Sequence, residues 1–276
     1  MLANMKNILR ETILIHTILC ICMLLSACST MDNGRRWGED ATFTPGWKTV
    51  GESACNAVTS PMVFVPAVAA ALLQIGNADQ RLSDWAVKHT PIAGSSTRAE
   101  SLSMNLAKIS DGALYVSILT TPGGNDPGPW AASKAKGAAV QGSVIFLDHE
   151  IVSLLQKSTG RERPNKSNNE SFPSATASGS AIHTALASRN IDAMNIPDRA
   201  KTSVNLALHA LTFLVAWERV EAEAHYPSDA LVGVSLAYFT GYFINDAFMG
   251  IDLHLHGTPE VRLNGRDTYV GFCWRF

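Results

Sequence analysis

Apolar segments of helical period follow one another along most of this chain, and that succession most constrains what it can fold into. Pro61 to Ile75 is almost wholly apolar, Leu82 to His89 is amphipathic, and Ser101 to Leu119 reads as a helix interrupted at Gly112. Pro122-Gly-Gly-Asn-Asp-Pro-Gly-Pro129 predicts a loop, because glycine and proline both interrupt backbone ladders. Helical pattern resumes from Trp130 to about Leu155, with a glycine at 142. A polar loop, Pro164 to Ser171, precedes a small-residue helix from Ser174 to about Ser188. Pro197 opens a helix to about Arg219, and Pro227 opens another to about Phe248. The implied class is all-α, a helical bundle. The tail differs: Asn264-Gly265 is a turn pair and Thr268 to Phe276 alternates, which predicts a short C-terminal β-hairpin. No apolar stretch runs clean for the eighteen or more residues of a membrane span. Pro61–Ile75 and Leu231–Phe243 read either as half-spans or, more simply, as core helices of a soluble bundle.

The N-terminus has the form of a processing signal. Lys6 and Arg10 precede an apolar stretch from about Ile13 to Leu25, too short for a comfortable span. It ends in Leu25-Ser26-Ala27-Cys28, which resembles the lipobox of bacterial lipoproteins. The resemblance implies a signal peptide over 1–27, a diacylglycerol-bearing Cys28 and a lipid anchor in the cell envelope. The absence of Asp after Cys28 favours the outer membrane. A polar stretch completes a tether over 28–44, leaving a helical domain over 45–249 and a hairpin extension over 250–276. A formal charge of −2 without a basic run argues against a nucleic-acid partner. Of the five cysteines, Cys55 and Cys273 remain after the signal and the anchor. They form either a disulfide tying the domain's ends together or two independent thiols.

Three segments carry the chemistry: Gly160-Arg-Glu-Arg-Pro164, Ser171-Phe-Pro-Ser-Ala-Thr-Ala177, and Glu218-Arg219 followed by His225-Tyr-Pro-Ser-Asp229. Ser174 is a good N-cap, and the N–H groups of Ala175, Thr176 and Ala177 behind it make an anion site. Arg163 and Arg219 supply planar, permanently charged forks for phosphate oxygens. Pro227 suits a first helical turn, which brings Asp229 near His225. A carboxylate on one ring nitrogen would leave the other as a nucleophile. No residues show metal-ligand spacing, and no cofactor motif appears.

Together the segments resemble the signature of the type 2 phosphatidic acid phosphatases, which share a fold with vanadium haloperoxidases and bacterial acid phosphatases. The family pattern is Lys-x6-Arg-Pro, then Pro-Ser-Gly-His, then Ser-Arg-x5-His-x3-Asp. Arg163-Pro164, Pro173-Ser174, Arg219, His225 and Asp229 stand at matching positions. The resemblance implies a phosphatase acting on a phosphate ester or lipid phosphate, with His225 attacking phosphorus. Arg163, Arg219 and the amides near Ser174 would hold the oxygens, and Asp229 would orient His225. Three positions depart from the pattern. Gln156 stands at the lysine, with Lys157 one residue late, still a candidate phosphate ligand through its long stem. Thr176 stands at the histidine expected to protonate the leaving oxygen, and Glu218 at the leading serine. His183 lies seven residues beyond Thr176, about 10 Å along a helix and too deep to substitute. His209 reads as a core histidine.

Overall fold

A computed structural model describes residues 29–250, and the backbone pairing of 258–264 and 267–273. The signal segment and Cys28 lie outside the described residues. Among the described residues eight α-helices follow in order: α1 (Trp47–Thr59), α2 (Pro61–Leu72), α3 (Ala78–His89), α4 (Ser96–Thr120), α5 (Pro127–Thr159), α6 (Ala175–Asp192), α7 (Asp198–Glu221) and α8 (Pro227–Phe248). Beyond them, β1 (Thr258–Asn264) and β2 (Asp267–Cys273) pair antiparallel, with Thr258 opposite Cys273. The helical class follows as the periodicity implies. Helix α1 is not among the predicted segments, although Trp47, Val50, Ala54 and Ala57 recur in it at helical spacing.

Helices α6 and α8 form the centre, packed on each other and flanked by α4, α5 and α7, with α1 and α2 against α8. Their sequences explain the position. Helix α6 is rich in Ala, Ser and Gly, so neighbouring backbones approach closely, and its buried hydroxyls return to their own carbonyls, as Ser188 does to Ala185. A Cβ added at Gly233 of α8 would lie 2.7 Å from the Ser174 carbonyl oxygen, so only glycine lets α8 seat against the start of α6. Lower in the bundle, Gln141 bridges Asn190 and Asn245, and Arg189 makes a forked pair with Asp246.

Residues 29–44, expected as a tether, pack on the bundle instead. Trp37 is fully buried against Gly137, where any side chain would collide with its ring, and its backbone N–H donates to Pro122 O at 2.8 Å. Thr42 N donates to Phe248 O, and Gly124 N to Ser29 O. Beside Trp37 the Lys134 ammonium donates to Ile118 O (2.7 Å), Thr121 O (2.6 Å) and Thr121 Oγ1, beneath the rings of Trp37 and Trp130. The polar composition of 29–44 hides one large apolar anchor, which supplies the burial a tether lacks.

Cys55 is a free, exposed thiol on α1, and the side chain of Cys273, its expected partner in one reading, lies outside the described residues. The expectation of core helices holds for α8, which is largely buried, but not for α2, where Phe64, Val65, Val68 and Leu72 are exposed. Tyr115, Val116 and Leu119 on α4 and Phe146 and Leu154 on α5 are exposed as well. Among the described residues α5 is long and apolar enough to cross a membrane, and α1 with α2 passes the same test as one bent segment.

Candidate active site

The three motif segments converge where α5 ends, α6 begins and α7 turns into α8. Helix α5 stops at Gly160, whose φ of 57° lets the chain reverse. The loop that follows is tied on both sides: Asn165 N donates to Glu223 O, Ser171 N to Arg161 O, and Ser174 N to Asp229 O. Ser174 then caps α6 as its sequence predicts, its hydroxyl accepting from Ala177 N. That leaves the first-turn N–H groups of Ala175 and Thr176, which precede the helix's own ladder, facing outward with the positive end of the helix dipole.

His225 is 1 % exposed, and its Nδ1 lies 2.7 Å from the Ser171 carbonyl oxygen. A carbonyl can only accept, so Nδ1 carries the proton and Nε2 presents its lone pair. Burial, and then the charge of Arg219, pull the imidazole down to about 3 despite the Ser171 bond, with Arg163 adding to the effect. At neutral pH the ring is uncharged.

Two arginines face it. Arg219 is 4 % exposed and donates through Nη1 to Glu100 Oε2 at 2.6 Å and Ser103 Oγ at 3.3 Å, while its buried Nε has no partner. The Nε of Arg163 is also buried without a partner. Burial and the neighbouring Arg219 charge both lower the pKa of Arg163. Like charges with orphaned donors beside a free Nε2 lack one thing, an anion with several acceptor oxygens.

Asp229 sits differently from expectation. It does not hold the imidazole. Its carboxylate accepts from Arg161 Nη1 (2.5 Å), Ser171 Oγ (2.5 Å) and Tyr226 N (3.0 Å), the last closing the first turn of α8. The loop brings the Ser171 carbonyl closer to the ring than any oxygen of Asp229, so the carboxylate acts one residue removed. Burial raises this carboxyl to about 6 against those bonds. Arg161 also reaches Asp79 Oδ2 at 2.8 Å, and Asp79 accepts from Ser228 N and Oγ. On the outer side of Arg161, Asp79, Glu162 and Tyr226 line a cavity of about 300 Å³.

Lys157 is not brought in. It is exposed on α5 without a hydrogen bond or ion pair among the described residues, as a turn of about 100° past the motif position requires. Gln156 faces the site instead and donates to Pro173 O (3.0 Å) and Glu170 O (3.3 Å), bracing the loop where the family has its cation. Thr176 is partly exposed at the start of α6. Glu218 is fully buried with neither oxygen bonded, and burial together with Glu221 lifts it to about 7. His183 lies 2.6 Å from Asp111 and away from the site, and His209 bonds Tyr238 in the core. Arg161, Asp79, Glu100 and the Ser171 carbonyl escape sequence reasoning. The first three are ordinary charged residues without motif spacing, and a backbone carbonyl has no side-chain signature. Among the described residues no cluster suits a metal ion.

The PAP2 superfamily model matches residues 129–249, the stretch that carries all three motifs. Over that stretch the chain resembles the PAP2 superfamily. It is similar, at 18% identity and a TM-score of 0.40, to the crystal structure of the first transmembrane PAP2 type phosphatidylglycerolphosphate phosphatase from Bacillus subtilis. That match covers 66% of this chain and 92% of the other. No protein of curated function matches the chain.

Proposed function

We propose that the protein is a phosphatase of phosphomonoesters or lipid (pyro)phosphates that works through a phosphohistidine at His225. One observation carries this reading: the orphaned Nε donors of Arg163 and Arg219 beside an imidazole whose tautomer leaves Nε2 free. A phosphoryl group fits that void, its oxygens taken by the two guanidinium groups and by the Ala175 and Thr176 amides. Nε2 forms a P–N bond as the P–O bond to the leaving group breaks. Water then adds to phosphorus, the P–N bond breaks, and phosphate departs as Nε2 recovers its lone pair. With threonine at 176 the leaving oxygen has no side-chain acid there, a loss worth about 10²- to 10⁴-fold. Phenolate and phosphate leaving groups need such help least. Turnover should therefore favour aryl phosphates and pyrophosphates over alkyl phosphates.

The lipid-anchored placement in the cell envelope, with Cys28 as the anchor and the hairpin as an appendage to the bundle, belongs to the same proposal. Exposed apolar side chains on α2, α4 and α5 support work at a lipid surface. A second reading, binding of phosphate or an anionic head group without turnover, is favoured by Gln156 in place of the lysine and its engagement with the loop carbonyls.

Phosphate release from an aryl phosphate and a lipid phosphate, measured for the chain from Ser29 onward beside His225→Ala, separates the readings. Turnover that falls at least about 10³-fold in the variant is expected. Phosphate binding without release in the parent protein would establish the second reading.

A further inference from the structure

A residue outside the family match completes the support of His225. Asp79 belongs to α3, some fifty residues before the matched stretch begins. Its carboxylate, 5 % exposed, takes one arm of Arg161, and Arg161 gives its other arm to Asp229 and Ser228. Asp229 accepts from the hydroxyl of Ser171, whose own carbonyl fixes the Nδ1 proton of His225. The guanidinium lies 4.1 Å from the centroid of the Tyr226 ring, so the fork is clamped from its face as well as its ends. Every link is a charge-assisted or backbone hydrogen bond in a largely buried setting, where geometry is held stiffly.

Resting on the phosphatase reading, we propose that Asp79 and Arg161 are positioning residues for His225, acting through Asp229 and Ser171 to hold the imidazole in the Nδ1–H tautomer. Neither touches the phosphoryl group. They set the ring that does, and they do so only while Asp229 is ionised. Protonated on Oδ1, the oxygen that faces Arg161, Asp229 loses both its charge and its acceptor for that guanidinium, while Oδ2 serves Ser171 and Tyr226. The groups facing Asp229 are Arg161 and Arg163 from the loop after α5, Asp79 from α3, and Tyr226 and His225 at the start of α8. The two cations favour the ionised carboxyl, and Asp79 opposes it.

The test uses the chain from Ser29 onward, with kcat and KM for an aryl phosphate measured across pH beside ¹⁵N shifts of the His225 ring. Asp229 should give activity an acidic limb, lost as pH falls. Arg161→Gln removes a cation and should move that limb up by about one pH unit; Asp79→Asn removes an anion and should move it down. Both variants should lower kcat, by about 10²-fold for a misplaced nucleophile, with KM within a few-fold because Arg163 and Arg219 remain. Arg161→Lys should recover little, since an ammonium cannot serve both carboxylates as a fork. A role confined to folding would depress activity at every pH, leave the limb in place and keep the tautomer, and that result overturns the proposal. The ring shifts need no turnover. If the parent protein releases no phosphate yet the variants mix the tautomers, the phosphatase reading fails and the positioning role stands; an unmixed ring sinks the positioning role. Should Arg161→Gln fold poorly, Asp79→Asn decides between the same two outcomes.

Discussion

Two buried cationic sites face opposite demands in this bundle. Lys134, 7 % exposed, sits below the C-terminal end of α4, where the last carbonyls of a helix lack partners. Its ammonium fills them, and two tryptophan rings cover what remains. Arg219, 4 % exposed, faces the start of α6, where amide donors rather than acceptors are free, and beside it stands a second arginine. One cation is saturated by fixed protein atoms. The other pair keeps Nε donors without acceptors, an arrangement that costs stability. On the proposed reading, saturation goes with the structural cation and the deficit with the functional one.

Substitution should separate the two most widely. Arg219→Gln is expected to cut turnover about 10²- to 10³-fold, the usual effect of deleting one donor aimed at transition-state charge. It should leave the melting temperature within about 2 °C, because the Glu100 it abandons is half exposed and the repulsion with Arg163 disappears. Lys134→Met should do the reverse. It orphans the α4 carbonyls, lowers stability by about 3 kcal/mol, or about 6–12 °C, and leaves the activity per folded molecule close to that of the parent. Thermal unfolding and single-substrate kinetics on both proteins check the pair, and a large loss of stability in Arg219→Gln would erase the distinction.

A smaller effect sharpens the same contrast. Inorganic phosphate should stabilise the parent protein by about 2.7 kcal/mol at a hundredfold excess over its dissociation constant. Lys134→Met should keep that gain and Arg219→Gln should lose most of it. The smallest expected effect is spectroscopic. With its value near 3, the His225 ring should stay neutral from pH 8 down to about 4.5 in the free protein. Phosphate offsets the charges of Arg219 and Arg163 that disfavour protonation, so adding it should move the titration upward. A downward shift would place the anion elsewhere.

Much of this is legible in the chain. The helical class follows from periodicity, and the third motif places Arg219, His225 and the start of α8, because proline at a first turn and a fixed spacing constrain the backbone locally. What is illegible comes from distance or composition. Asp79 and Glu100 reach the site across 149 and 119 residues through tertiary packing that no spacing encodes. For Asp229, sequence shows that a carboxylate stands one turn from a histidine, not that the Ser171 carbonyl gets there first. For Lys157, a long stem does not outweigh the helical turn that carries it away. The stretch 29–44 looks like a tether by its many polar residues, and the single ring of Trp37 reverses that.

That last segment has a mechanical consequence. Because the chain is bonded to the bundle from Ser29 onward and pinned by Trp37, there is no slack between Ser29 and the body. A load, a label or a lipid at that point would steer the whole body like a rudder stock, fixing its bearing as well as its reach.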